Sequence, residues 1–124
     1  MVVNQPLIVL DTNIALYYLG GRLMIPLPSG LYHISIITEM ELLSYASLSA
    51  AEEQQIRNFL AQLMIIGIDE PIKNMAIALR KEYRLKLPDA IISATAQSIN
   101  ALLLTNDLKL STITTLQTQS LPIK

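Results

Sequence analysis

The sequence predicts an α/β protein, a three-layer α/β/α arrangement with a central, mostly parallel sheet of four or five strands. Two observations carry this. Short continuous apolar runs of strand length alternate with longer stretches of helical periodicity, the pattern of βαβ units with helices on both faces of a sheet. Neither a repeat nor a flexible linker divides the 124 residues, so we expect a single domain over residues 1–124.

The elements follow in order. Leu7 to Leu10 is an apolar run that stops at Asp11, as a strand covered on both faces does. Thr12 to Leu19 contains no breaker and ends at Gly20-Gly21, which predicts a helix. Pro26, Pro28, Ser29 and Gly30 mark a loop, and Tyr32 to Ile37, β-branched and aromatic, reads as the second strand. A helix from about Thr38 to Tyr45 holds Glu41 in its first turns. Ser49 with Glu52 forms a capping box ahead of a helix bearing Ile56, Phe59, Leu60 and Leu63. Met64 to Ile68 predicts a buried third strand, and Met40, Met64 and Met75 predict core filling.

Asp69-Glu70-Pro71 is a helix entry, with acids at the positive end and proline in the first turn, and that helix runs to about Arg84. Leu87-Pro88-Asp89 opens the next, which Asn100 ends. Ala101 to Thr105 predicts the fourth strand, followed by Asn106-Asp107, a Thr/Gln-rich stretch and a short last strand at Leu121 to Ile123.

Composition narrows the function. Cysteine is absent, so disulfide scaffolds and zinc–thiolate sites are excluded, in keeping with a reducing, cytoplasmic location. The run Leu7 to Leu10 is far shorter than the roughly 18 residues that span a bilayer, so no membrane role is expected. A net charge of −1 gives no general basic field, and any nucleic-acid contact must be local. Charged residues make up only 15% of the chain, against about a quarter in ordinary domains. So sparse a charged surface predicts an apolar interface, with a homodimer the natural form.

The acids are few, four aspartates and six glutamates, and their placement is informative. Asp11 ends the first strand, Glu41 lies just beyond the second, Asp89 opens the helix before the fourth, and Asp107 follows the fourth. If the first and fourth strands are neighbours, all four acids meet at one sheet edge, where ligands bind in open α/β sheets. Such a cluster repels itself unless a cation neutralises it. With oxygen ligands and no Cys or His nearby, that cation is hard, Mg²⁺ or Mn²⁺. Two ions can activate water and stabilise an in-line displacement, which makes a phosphodiester the expected substrate.

Three of these acids have a plainer use as well. Asp11 could cap a helix, Asp89 could serve a helix dipole, and Asp107 could be a turn residue. Glu39 points to another side of its helix from Glu41, and His33, inside a strand, reads as structural. Arg80, Lys81, Arg84 and Lys86 put four of the nine basic residues just before Asp89, either as a solvated helix end or as a contact for an RNA backbone. A receiver-like phosphoacceptor role for Asp11 fits less well, lacking a second acid beside it.

Leu10-Asp11-Thr12-Asn13, then Thr38-x-x-Glu41-Leu42, then Leu87-Pro88-Asp89-Ala90-Ile91-Ile92 with Ala94-Thr95-Ala96, then Leu104-Thr105-Asn106-Asp107 together resemble the PIN domain, including the VapC-type toxins of toxin–antitoxin pairs. The order and spacing of the set cover essentially the whole chain. The resemblance implies a PIN-like fold and a Mg²⁺- or Mn²⁺-dependent endoribonuclease whose metal-binding, catalytic acids are Asp11, Glu41, Asp89 and Asp107, with Asn13 and Thr105 orienting them. It also implies an RNA substrate and an antitoxin partner, the first helix with Tyr17 and Tyr18 contributing to protein contacts. The alternative is a PIN-like binding module with little or no nuclease activity. The sequence departs from the family pattern after Glu41-Leu42, where a common glycine is missing, and after Asp107, where Leu108-Lys109-Leu110 replaces a frequent aromatic.

Overall fold

The computed structural model describes residues 5–124. Its strands are β1 (Leu7–Leu10), β2 (Leu31–Ser35), β3 (Met64–Ile66), β4 (Leu102–Leu104) and β5 (Gln117–Gln119). The helices are α1 (Thr12–Leu19), α2 (Ile36–Leu43), α3 (Ala50–Leu60), α4 (Glu70–Tyr83) and α5 (Leu87–Ser98), with a 3₁₀ turn at Leu110–Thr112.

All five strands are parallel, in the order β3-β2-β1-β4-β5. The expected neighbours do pair, Ile8 with Leu102 and Leu10 with Leu104. Because β2 and β3 extend the sheet to one side of β1 while β4 and β5 extend it to the other, the strand order reverses between β1 and β4. That reversal opens a crevice at their carboxyl ends.

Side-chain alternation sends β1 into two cores. Ile8 and Leu10 pack with Ile14, Leu42, Ile56, Phe59 and Leu60 on one face of the sheet. Val9 packs with Ile72, Leu79, Ile92 and Leu103 on the other, under α4 and α5. Each such residue contributes about 2 kcal/mol by leaving water, and together they fix the register, since a slip by one residue would exchange the faces.

Local signals set the helix ends. Ser49 Oγ accepts from the Glu52 amide at 3.1 Å while Glu52 Oε1 accepts from the Ser49 amide at 3.0 Å, the reciprocal cap read from sequence. Asp69 Oδ1 accepts from Ile72 N at 2.9 Å and caps α4. Asn100 follows α5 with a left-handed φ of 53°, a conformation asparagine tolerates well.

Four expectations need correction. The second strand stops at Ser35 and α2 begins at Ile36, because the Ser35 hydroxyl accepts from Ile37 N and so turns the chain two residues early. β3 is an edge strand rather than a buried one, with Met64 64% and Ile65 38% exposed. Met40 and Met64 are both exposed, and of the three methionines only Met75 packs against a core. The last strand is Gln117–Gln119, whereas Leu121 joins the core and Ile123 forms an isolated antiparallel bridge to Leu23. Pairing of β5 with β4 uses backbone groups, which polar glutamines supply as well as apolar residues do.

Candidate active site

The β1–β4 crevice collects residues from four parts of the chain. Asp11 directly follows β1, and its backbone N–H still bonds to Leu104 O at 3.0 Å, which fixes it against the end of β4. Although it occupies the N-cap position of α1, its carboxylate makes no capping bond. Instead Oδ2 accepts a 2.6 Å hydrogen bond from the Thr105 hydroxyl. That same hydroxyl oxygen accepts from the backbone N–H of Asp107 at 3.1 Å. Thr105 thus ties Asp11 to the turn that carries Asp107. The turn itself closes through Lys109 N donating to Asp107 Oδ1 at 2.9 Å, so Asp107 serves the local backbone and also faces the acids.

On the opposite side, Glu41 Oε1 accepts from the Thr12 hydroxyl at 2.7 Å, and Thr12 Oγ1 lies 3.0 Å from the buried hydroxyl of Thr38. Thr12 belongs to α1 and Glu41 to α2, so this bond draws two helices' polar ends to one place. Asp89 sits half-buried in the first turn of α5.

Electrostatics show that these acids share a space. Asp11, only 5% exposed, has its carboxyl pushed up from 3.8 to about 6, chiefly by burial, against the lowering effect of the Thr105 bond, with Asp89 and Asp107 adding repulsion. Asp89 is also raised, first by burial and then by Asp107 and Glu41, while Lys86 and Lys109 oppose the rise. Asp89 thus lies within electrostatic reach of Asp11, Asp107 and Glu41, and Asp11 within reach of Asp89 and Asp107.

Other sequence candidates divide. Thr105 is buried, and its hydroxyl donates to Asp11. Asn13 is exposed and hydrogen-bonds to none of the acids among the described residues, the contact with Glu41 coming from Thr12 instead. Lys86 stands beside Asp89, whereas Arg80, Lys81 and Arg84 line a separate groove between α4 and α5. Glu39 lies away from the crevice near Arg57 and Ile65. His33 Nδ1 sits 3.0 Å from Leu31 O within β2.

Sequence reasoning missed Thr12, Thr38 and Lys109. Lys109 faces Asp89 and its Nζ donates to Arg84 O at 2.6 Å, bridging the α4–α5 turn to the site. Its position two residues after Asp107 was the available signal. Ser93, one turn beyond Asp89 on α5, is fully buried with its Oγ unpartnered among the described residues.

The donor set is entirely oxygen and crowded with like charge, which suits a hard divalent cation in kind. Among the described residues no three acidic or imidazole side chains yet stand close enough to enclose an ion, so a bound metal would draw them inward. Asp11 and Glu41 are held by hydroxyls and Asp107 by the Lys109 amide, leaving Asp89 as the half-buried acid without a hydrogen bond among the described residues.

A parallel sheet with carboxylates gathered at its switch point defines a class of acid-lined α/β domains. The chain belongs to the PIN domain family, whose profile matches residues 8–115. Within the family its likeness is to the VapC type. It is similar to a chain of a toxin–antitoxin complex from Klebsiella pneumoniae, at 37% identity over 87% of this chain and 93% of that one, with a TM-score of 0.74. For VapBC-1 from nontypeable Haemophilus influenzae the identity is 29%, over 92% and 97% of the two chains, with a TM-score of 0.69. VapBC2 from Rickettsia felis, solved with a promoter DNA fragment, shares the fold at a TM-score of 0.79 and 23% identity, over 94% and 99%. Comparison with the curated proteins gives no match. VapC-type PIN proteins are generally nucleases, and the family generally depends on divalent metal. Among the described residues no helix is long and apolar enough to cross a membrane.

Proposed function

We propose that this chain is an endoribonuclease that hydrolyses RNA phosphodiester bonds with Mg²⁺ or Mn²⁺, and that it is the toxin of a toxin–antitoxin pair. The observation that carries the reading is the buried carboxyl of Asp11, raised to about 6 while fixed by Thr105 and facing Asp89 and Asp107. A protein keeps such a strained group where its charge is needed.

Asp11, Glu41, Asp89 and Asp107 would hold the metal. When bound, one or two ions supply positive charge that polarises a phosphoryl oxygen and makes an attacking water more acidic. The protein's own part is placement. Thr105 aims Asp11 and Thr12 aims Glu41, so two ligands are preorganised before substrate arrives. Lys86 and Lys109, beside Asp89, offset its charge and offer positive contacts to an incoming phosphate. Among the described residues no side chain in the crevice is placed as a covalent nucleophile, which leaves water as the attacking group.

The partners belong to the same proposal. An antitoxin is supported by the complexes to which the chain is similar, a homodimer by the sparse surface charge, and a cytoplasmic single-domain protein by the absence of cysteine and of any linker. The test is Mn²⁺-dependent cleavage of a mixed RNA pool. Asp11→Asn should lose at least about 100-fold in rate while keeping its circular dichroism spectrum, and a fully active variant would refute the assignment.

A second reading, a module that binds RNA or protein without cutting, is favoured by the spacing of the acids, which as they stand do not close around an ion. RNA binding with no metal-stimulated cleavage would select it.

A further inference from the structure

Strand β4 ends at Leu104, but the register of its ladder with β5 runs on. Leu102, Leu103 and Leu104 pair with Gln117, Thr118 and Gln119, an offset of 15 positions, and Thr105 N still donates to Gln119 O at 3.0 Å. One rung further in the same parallel register, Leu121 N–H would donate to Thr105 O, and Leu121 O would accept from Asp107 N–H. The side chain of Asn106 takes both of those places. Leu121 N donates to Asn106 Oδ1 at 2.8 Å, and Asn106 Nδ2 donates to Leu121 O at 2.9 Å, again across 15 positions. A side-chain amide thus stands in for peptide groups at the end of the ladder.

This exchange frees the backbone of the next residue. Asp107 N–H, not needed by Leu121, donates instead to Thr105 Oγ at 3.1 Å. The chain then turns around Asp107, whose carbonyl oxygen accepts from Leu110 N at 3.2 Å and Ser111 N at 3.3 Å, and whose Oδ1 accepts from Lys109 N at 2.9 Å. Leu121 is only 2% exposed, so its peptide groups need partners inside the protein. Without the Asn106 amide, the donor that the strand register offers to Leu121 O is Asp107 N–H. Taking it would pull Asp107 off Thr105 and along the line of β4.

We propose that Asn106 is a positioning residue for Asp107: by completing the β4–β5 ladder with its side chain, it lets the main chain leave the sheet and present Asp107 at the acidic crevice. Asparagine suits the place because it carries a donor and an acceptor on one short arm. Aspartate has no donor for Leu121 O, and alanine offers neither group. The consequence for metal rests on the reading of the crevice as a metal site; the placement of Asp107 does not.

Hydrogen exchange followed by NMR in EDTA tests the placement without metal. In Asn106→Ala the amides of Lys109 and Leu110, which bond to Asp107 itself, should exchange at least about tenfold faster, along with that of Leu121. Asn106→Asp keeps the acceptor for Leu121 N and should show a smaller effect in the same direction. Mn²⁺ affinity, read from the electron spin resonance of the free ion, should fall by about tenfold in Asn106→Ala. Neither residue is charged, so such a loss reports position rather than electrostatics. The control is Thr115→Val, which removes the 2.7 Å bond to Gln97 from the same connection between β4 and β5 and should change neither measurement. Faster exchange at Leu121 alone, with Lys109, Leu110 and the Mn²⁺ affinity as in the wild type, would make Asn106 a mere anchor for the segment around Leu121 and overturn the proposal. A Thr115→Val protein that behaves like Asn106→Ala overturns it too. If the wild type takes up no Mn²⁺, the metal reading fails, and the amides of Lys109 and Leu110 alone decide whether Asn106 places Asp107.

Discussion

Replacing Asp11 by asparagine should make the metal-free protein more stable at neutral pH, even as it removes the proposed activity. Folding lifts the Asp11 carboxyl from 3.8 to about 6, so keeping it ionised in the folded state costs roughly 3 kcal/mol at about 1.4 kcal/mol per unit. The sign follows from linkage. With a raised folded value, the stability is fully present below about 3.8 and is lost as pH climbs through about 6. Asparagine has nearly the same shape, carries no charge and can still accept the Thr105 bond through its carbonyl oxygen. Its amide must find an acceptor, so the net gain expected at pH 7.5 is about 1 to 3 kcal/mol. For 124 residues each kcal/mol moves Tm by about 4 °C. Thermal melts of both proteins in EDTA, at pH 7.5 and pH 4, read this directly. The difference should be large at pH 7.5 and mostly vanish at pH 4, where the wild-type group is protonated when folded. A variant less stable than wild type at pH 7.5, or an equal gain at both pH values, would refute the argument that ionised Asp11 is a burden on the metal-free fold.

Other outcomes can be checked with the same equipment. Adding Mn²⁺ at neutral pH should raise the Tm of the wild type and leave that of Asp11→Asn nearly unchanged, because a ligand stabilises only the state that binds it; equal shifts in the two proteins would argue against Asp11 as a metal ligand. Ser93→Ala should stabilise by about 1 kcal/mol in urea denaturation, since the buried Ser93 hydroxyl has no partner among the described residues and alanine fits the same space. Gly30→Ala should cost about 1 to 3 kcal/mol, because a Cβ there would lie 2.5 Å from Ile8 Cδ1 and 2.8 Å from Pro6 O; a neutral result would mean that β1 shifts freely.

The parts of the fold most legible in the sequence are those where one residue decides locally. The Ser49–Glu52 box, the Asp69 cap and Asn100 at the end of α5 each rest on a side chain meeting a backbone group a few positions away. Less legible are features set by neighbours distant in sequence. Met64 and Ile65 look like core residues until β3 is known to be the sheet's edge. Gln117 to Gln119 carry no apolar pattern, yet β4 offers them a free backbone edge. The same division holds at the site. Asp11, Asp89 and Asp107 are legible because each follows or opens a recognisable element, whereas Glu41, expected in the first turns of its helix, lies in the second half of α2 because that helix starts two residues early. Which hydroxyl holds which acid is not legible, since Thr12 meets Glu41 across 29 positions and Thr105 meets Asp11 across 94. The basic run before Asp89 looks like one feature in sequence. The left-handed turn at Arg84 separates Lys86, at the crevice, from the three residues along the groove.

The 94-position span between Asp11 and its hydroxyl donor bears on the protein's birth at the ribosome. A growing chain that has not yet released β4 from the exit tunnel lacks Thr105 and Asp107, and it also lacks the strand against which Asp11 is fixed. Its early acids are then loose side chains in water. Whatever chemistry the crevice performs must therefore wait until β4 and the turn bearing Asp107 have emerged and paired with β1.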